Sequence, residues 1–114
     1  MKQELFIKGR GYEAFSTYED GVIIIHIGSQ LNYPKTCNYK KNKIAFAVRE
    51  DPSVVKDGIV IKECLFDSPS TAAQFITGGS RNGYDTWKVR KGYSLGDYLQ
   101  ENGIRSRKIR HKEH

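Results

Sequence analysis

Long apolar runs and paired cysteines are missing from this chain, and each absence limits what the protein can be. The longest apolar run, Val22–Ile27, is interrupted by a histidine and is far shorter than the roughly 20 residues that a membrane-spanning helix needs. The two cysteines, Cys37 and Cys64, lie far apart and form no CxxC pair, so neither a disulfide scaffold nor a zinc framework is indicated. The first residues contain an early acid and no apolar stretch typical of a secretory signal. We therefore expect a soluble, cytoplasmic protein with reduced thiols.

Motifs for catalysis and cofactor binding are also missing. The sequence contains no GxSxG, HExxH or GxxxxGK[ST] motif and no pair of carboxylates at acid–base spacing. His111 and His114 are spaced like two metal ligands on one helical turn, but no third ligand is close to them in sequence. We therefore expect no enzymatic activity, no cofactor and no metal site.

Length and charge indicate one domain with a basic end. The chain has 114 residues and a net charge of +6, from 19 Lys and Arg against 13 Asp and Glu. Five of those bases and one of the acids lie in residues 105–114, so the rest of the chain carries only +2. We predict a single domain over residues 1–104 and a basic tail over 105–114. Such a tail attracts phosphates in a salt-dependent way, or simply aids solubility.

Hydrophobic periodicity predicts an α+β fold, with a small antiparallel sheet packed by two or three short helices. The β-branched segment Val22–Ile27 is expected to be a central strand covered on both sides, with His26 buried against a backbone partner. Residues 43–50 permit either a helix or a strand. The other predicted strands are Leu5–Lys8, Tyr12–Tyr18, Gly58–Phe66 and Tyr84–Val89.

Capping residues predict the helices. Ser68 precedes Pro69, which favours a helix start, and Gly78 with Gly79 ends that helix. Ser94, with an acid three residues later, predicts a second capped helix. The glycine-rich stretch 78–83 therefore follows a helix and faces its carbonyl end, which disfavours a phosphate loop and favours a helix cap. The stretch 68–71 has better anion-binding geometry, although capping is the simpler explanation.

Basic side chains in three places make a nucleic-acid surface plausible if the fold gathers them, and otherwise form ordinary solvated faces. One group is Lys40, Lys41 and Lys43. In the loop after the first predicted helix, an arginine and an asparagine suit bidentate contacts to guanine and adenine edges. The candidate nucleic-acid-binding residues are Arg81, Asn82, Lys88, Arg90, Lys91, Arg105, Arg107, Lys108 and Arg110.

The segment from Phe66 to Lys88 resembles a known family. It contains F-D-S-P-S-T-A-A, then G-G-S-R-N-G, three further residues and W-K. This is similar to the small domain of unknown function that occurs C-terminal to GIY-YIG endonuclease domains and in restriction-associated bacterial and phage proteins. The stretch 92–97, G-Y-S-L-G-D, is similar to the ending of that family, and the resemblance covers about residues 5 to 99. A restriction-associated adenine-methylase module has a similar S-P-S-A-A … N-G-W motif.

The resemblance implies a role in DNA-handling conflict systems. Gly79 stands at the family's arginine position, and Arg81 replaces a small residue. The tyrosine motifs of the GIY-YIG nuclease have no counterpart, so the chain would be the accessory part alone. We expect a non-catalytic DNA-binding module of a restriction- or phage-conflict-type system. The alternative is a phage or mobile-element inhibitor that binds a protein partner, either a host nuclease or a CRISPR effector.

Overall fold

The computed structural model describes residues 2–33, 43–79 and 82–103, which form the predicted α+β fold. No helix in these ranges is long and apolar enough to cross a membrane. The strands are β1 (Lys2–Gly9), β2 (Tyr12–Glu19), β3 (Val22–Ile25), β4 (Val55–Lys56), β5 (Ile59–Val60), β6 (Cys64–Phe66), β7 (Lys88–Arg90) and β8 (Tyr93–Ser94). The helices are α1 (Lys43–Arg49), α2 (Pro69–Thr77), α3 (Gly83–Thr86) and α4 (Leu95–Glu101).

Six of the strands form one antiparallel sheet in the order β6-β3-β2-β1-β7-β8, and β4 and β5 form a separate hairpin. The predicted turn between β2 and β3 is confirmed. Asp20 and Gly21 have φ angles of 51° and 90°, as in the type I′ turn that an Asp-Gly pair favours. This turn sets the register that pairs Glu19 with Val22.

One face of the sheet packs on helices, and no helix of residues 2–33, 43–79 and 82–103 packs on the other. Helix α2 contacts β2, β3 and β6, helix α4 contacts β7 and β8, and α1 and α3 pack on α2. Buried side chains alternate along the strands on this inner face, such as Leu5, Ile7, Ala14, Ser16, Ile23, Ile25 and Phe66. The alternate residues of the same strands point to the opposite side, which we call the outer face. Its side chains include Phe15 and Leu65, which are 49% and 66% exposed.

The expectation that the Val22–Ile27 segment is covered on both sides is therefore wrong. The strand lies inside the sheet, between β2 and β6, but it ends at Ile25 and presents Ile24 to the outer face. His26 is not a buried histidine either, because its side chain is 32% exposed. β-branched residues on both sides of a strand indicate strand propensity, and they do not show which faces are covered.

The caps place the two main helices as predicted. Ser68 accepts a hydrogen bond from the Thr71 amide at 3.3 Å, and Gly78 closes α2 in the left-handed region. Ser94 and Asp97 form a capping box at the start of α4. Residues 43–49 form the helix α1, one of the two alternatives that the sequence permits for this segment.

Two strand predictions are wrong in part. The segment from Gly58 to Phe66 forms two short strands, β5 and β6, rather than one. The segment from Tyr84 begins as the helix α3, because Asn82 caps the Tyr84 amide through its side-chain oxygen at 2.9 Å. An asparagine before glycine favours a turn and a helix start alike, so the local sequence permits both.

A buried arginine connects helix α1 to α2 by hydrogen bonds. The Arg49 guanidinium donates hydrogen bonds to the backbone oxygens of Phe75 at 2.8 Å, Ile76 at 3.3 Å and Asn32 at 2.5 Å. It also lies 4.7 Å from the centre of the Tyr33 ring. A cation at the carboxyl end of α2 interacts favourably with the helix dipole, so this side chain joins α1, α2 and the segment after β3.

Candidate nucleic-acid interface

Residues of the family-like motif make the contacts that pack α3 against α2. The Ser70 hydroxyl accepts a hydrogen bond from the Gly83 amide at 2.9 Å, and the Trp87 indole donates to the Pro69 carbonyl at 3.1 Å. Trp87 is fully buried. The S-P-S, N-G and W elements of the motif therefore lock α3 onto the first turn of α2. Their spacing follows from this packing, so the motif by itself identifies no ligand site.

Basic side chains meet beside this core, in a groove of about 590 Å³ at one end of the sheet. Lys8 reaches it from β1, and Lys88 and Lys91 reach it from β7 and the β7–β8 turn. Asp85 is the acidic residue in the lining. The groove is lined by Phe6, Ile7, Lys8, Tyr12, Asp85, Thr86, Lys88, Lys91 and Gly92.

Strand pairing explains how the lysines converge. Lys88 lies directly opposite Phe6 in the β1–β7 pair, and its ammonium group donates to the Asp85 carbonyl at 2.7 Å. Lys8 follows Phe6 by two residues on the same strand, so it points to the same face. Lys8 is not predicted from the sequence, because nothing in the local pattern shows that β1 pairs with β7.

Arg90 lies beyond the groove on the same hairpin. Its guanidinium stacks on the Tyr93 ring at 4.0 Å from the ring centre. The Tyr93 hydroxyl donates to Glu101, and this hydrogen bond raises the pKa of the phenol. The hydrogen bond to Glu101 thus holds the Tyr93 ring on which the Arg90 guanidinium packs, and the Arg90 side chain is exposed.

The remaining predicted residues fall into two groups. The Asn82 side-chain oxygen caps α3, so a bidentate contact to adenine would have to displace the Tyr84 amide. Arg81 and the basic tail lie outside the described residues, as do Cys37, Lys40 and Lys41. The predicted tail residues in this group are Arg105, Arg107, Lys108 and Arg110.

A polar network that is not predicted from the sequence lies on the outer face. His26 contacts the Thr17 hydroxyl at 2.8 Å through Nε2 and Glu63 at 2.8 Å through Nδ1. The Thr17 hydroxyl also donates to Glu4 at 3.0 Å. A hydroxyl, imidazole and carboxylate in this order can activate a nucleophile, but Thr17 is only 7% exposed and is shared with Glu4. The alternation that places Glu4, Thr17 and, one residue after β3, His26 on the same face of the sheet is the signal that could have found this network.

Within residues 2–33, 43–79 and 82–103, no three His, Cys, Asp or Glu side chains are grouped so as to hold a metal ion. In the part of the chain that the structure describes, the fold is a small α+β domain whose helices pack on one face of the sheet, with a basic groove at one end of the sheet. The chain belongs to the family described as Domain of unknown function (DUF4357), whose model matches residues 5–99. No curated protein and no solved structure matches the chain.

Proposed function

We propose that this domain is a non-catalytic nucleic-acid-binding module that serves a restriction- or phage-conflict-type system. The observation that carries the proposal is that Lys8, Lys88 and Lys91 line one groove, in which Asp85 is the one acidic residue among those that the structure describes. Clustered ammonium groups beside aromatic side chains fit a phosphate backbone and release its counterions on binding. The conflict-system context rests on the resemblance of the 66–88 motif to restriction-associated proteins.

The basic tail would add contacts without adding selectivity. Residues 105–114 carry five bases and one acid, and such a segment neutralises phosphates of any sequence. The groove and the tail therefore make separable contributions. The tail sets much of the affinity at low salt, and the groove fixes where the nucleic acid lies on the domain.

Binding to labelled DNA across a range of salt concentrations tests the proposal. Fluorescence anisotropy should show a linear dependence of log K on log salt for the full chain, and a smaller slope for Lys88→Gln and Lys91→Gln, by about one unit for each lost phosphate contact. Lys56→Gln is the matched control, because Lys56 is an exposed lysine on the separate β4–β5 hairpin. A chain that ends at Gly103 should bind more weakly and should remain sensitive to Lys88→Gln. The proposal fails if binding is absent or is lost entirely with the tail.

A second candidate function is docking on a protein partner, either a host nuclease or a CRISPR effector. It is favoured by exposed apolar side chains on the β3–β6 side of the domain, where Leu65 is 66%, Ile27 62% and Ile61 44% exposed. A backbone hydrogen bond from Gly28 to Val60 brings the segments that carry Ile27 and Ile61 together. Leu65→Asp discriminates between the two functions. It should abolish binding to a purified nuclease or effector if this patch docks there, and it should leave binding through the lysine groove intact.

A further inference from the structure

Two phenylalanines lie next to each other at the centre of the outer face, with Phe15 exposed and Phe6 half-buried. Phe6 on β1 and Phe15 on β2 lie directly opposite each other in the strand register. Side chains at such positions have Cβ atoms about 5 Å apart. The same row continues through Phe6 to Lys88 on β7. One row of the sheet thus places a lysine and two phenylalanines at neighbouring positions.

The fold leaves this pair largely outside its core. The core of the domain lies on the inner face, where Trp87, Phe75, Ile23 and Ile25 are fully buried. Phe15 is 49% exposed, so its ring contributes much less to folding than a buried ring would. An accessible ring next to basic side chains provides a flat apolar surface for a ligand.

We propose that this row binds single-stranded nucleic acid, with one base stacked on Phe15, a neighbouring base on Phe6, and phosphates at Lys8, Lys88 and Lys91. The inference rests on the proposed function and specifies its substrate class. Unpaired bases expose ring faces that stack on aromatic side chains, whereas a duplex keeps those faces inside its own stack. Stacking rings beside cations match a chain of flat bases joined by phosphates.

Acidic side chains limit where the nucleic acid can lie on the outer face. Glu4 lies on β1 itself, two residues before Phe6, and accepts a hydrogen bond from Thr17 at 3.0 Å, while Glu63 contacts His26 beyond β2. Glu13 lies opposite Lys8 in the register and offsets that charge. Because these carboxylates repel phosphates, the nucleic acid is expected to run from Phe15 and Phe6 away from Glu4 and to enter the groove that Lys88 and Lys91 line.

A tryptophan placed at position 15 can report stacking directly. Trp87 is the chain's single tryptophan and is fully buried, so its emission provides a constant background. In Phe15→Trp, addition of a single-stranded oligonucleotide of about 12 nucleotides should quench the new emission, while the same concentration of duplex should not. Emission of the unsubstituted protein should be unchanged by either ligand.

Phe15→Leu tests the same contact through affinity. Leucine keeps an apolar side chain at an exposed position but removes the ring, so binding of the single strand should weaken about tenfold. Because stacking releases no counterions, the salt slope should stay the same. In Lys88→Gln, by contrast, the slope should fall by about 0.7 for a single strand. Leu65→Ala is the matched control, since Leu65 is an exposed apolar residue of the outer face away from the lysines.

The outcomes separate the two proposals. Preference for the single strand, together with the loss in Phe15→Leu and quenching in Phe15→Trp, supports both. If Phe15→Leu binds like the unsubstituted protein while Lys88→Gln and Lys91→Gln weaken binding, the stacking inference is overturned and the proposed function stands. If neither single strand nor duplex binds the full chain, both proposals are overturned.

Discussion

Gly83 packs against the first turn of α2, with backbone atoms directly opposite its Cα. A Cβ at this position would lie 2.1 Å from the Pro69 carbonyl carbon and 2.4 Å from the Ser70 nitrogen. Backbone atoms in a capped helix cannot move aside easily, so Gly83→Ala should lower the free energy of unfolding by about 3 kcal/mol. Urea denaturation measures the change. Gly79→Ala is the matched control, because nothing lies within 4 Å of its added Cβ; equal effects of the two variants would contradict this account of the motif.

The thiol of Cys64 makes a separate prediction about pH. Burial, and secondarily the Glu63 carboxylate, raises the pKa of Cys64 from 9.0 to about 12. The folded protein therefore keeps a proton that the unfolded chain releases above about pH 9. The resulting stability is complete below that pH and is lost as the pH rises toward 12.

Urea denaturation at several alkaline pH values checks this sign. The free energy of unfolding should fall more steeply with rising pH in the unsubstituted protein than in Cys64→Ala. Tyr18 and Tyr93 also have raised pKa values, but both proteins contain them, so the difference isolates Cys64. Parallel pH profiles would show that the Cys64 thiol ionises equally in the folded and unfolded chains.

At the scale of elements, one buried side chain, Arg49, joins α1 to α2 by hydrogen bonds. Replacing Arg49 with methionine would leave the carbonyls of Phe75, Ile76 and Asn32 without this donor. Buried carbonyls that lose a donor cost free energy, so Arg49→Met should destabilise the protein by about 3 kcal/mol. The stability of Arg49→Lys should lie between those of the unsubstituted protein and Arg49→Met, since lysine keeps the charge but lacks the guanidinium fork.

Thermal or urea unfolding monitors these variants. Lys43→Met serves as the control, because it removes an exposed cation from the same helix. A change below about 0.5 kcal/mol in Arg49→Met, as for a surface substitution, would mean that α1 is held by its apolar contacts alone. The role of Arg49 is not predictable from the sequence, because an arginine near the end of a short helix is most often a solvated residue.

Local signals explain which elements were predictable. Ser68 and Ser94 start α2 and α4 because each side chain caps its own helix within three residues. The Asp-Gly turn fixes the β2–β3 hairpin in the same local way. The start at Asn82 was missed because asparagine before glycine favours both a turn and a cap, and packing of Gly83 on α2 selects the cap.

At the scale of the whole molecule, the candidate site was only half predictable. Lys88, Arg90 and Lys91 were found as a local cluster after Trp87, but their partner Lys8 is brought to them by pairing of β1 with β7. Likewise, alternation along β1 and β2 shows that Phe6 and Phe15 point away from Leu5 and Ala14. Alternation does not show that the described helices all pack on the inner face and none on the outer face. Both features depend on contacts between residues distant in sequence.

The most direct test of the central claim is to map the bound nucleic acid on the domain. In a titration of the ¹⁵N-labelled full chain with a single-stranded oligonucleotide, backbone amide shifts should change most around Phe6, Lys8, Phe15, Lys88 and Lys91. Shifts around the helices α1 and α2 should stay small, because these lie on the inner side of the sheet. Changes confined to residues 104–114 would instead show that the tail alone binds, and would contradict a nucleic-acid site on the folded domain.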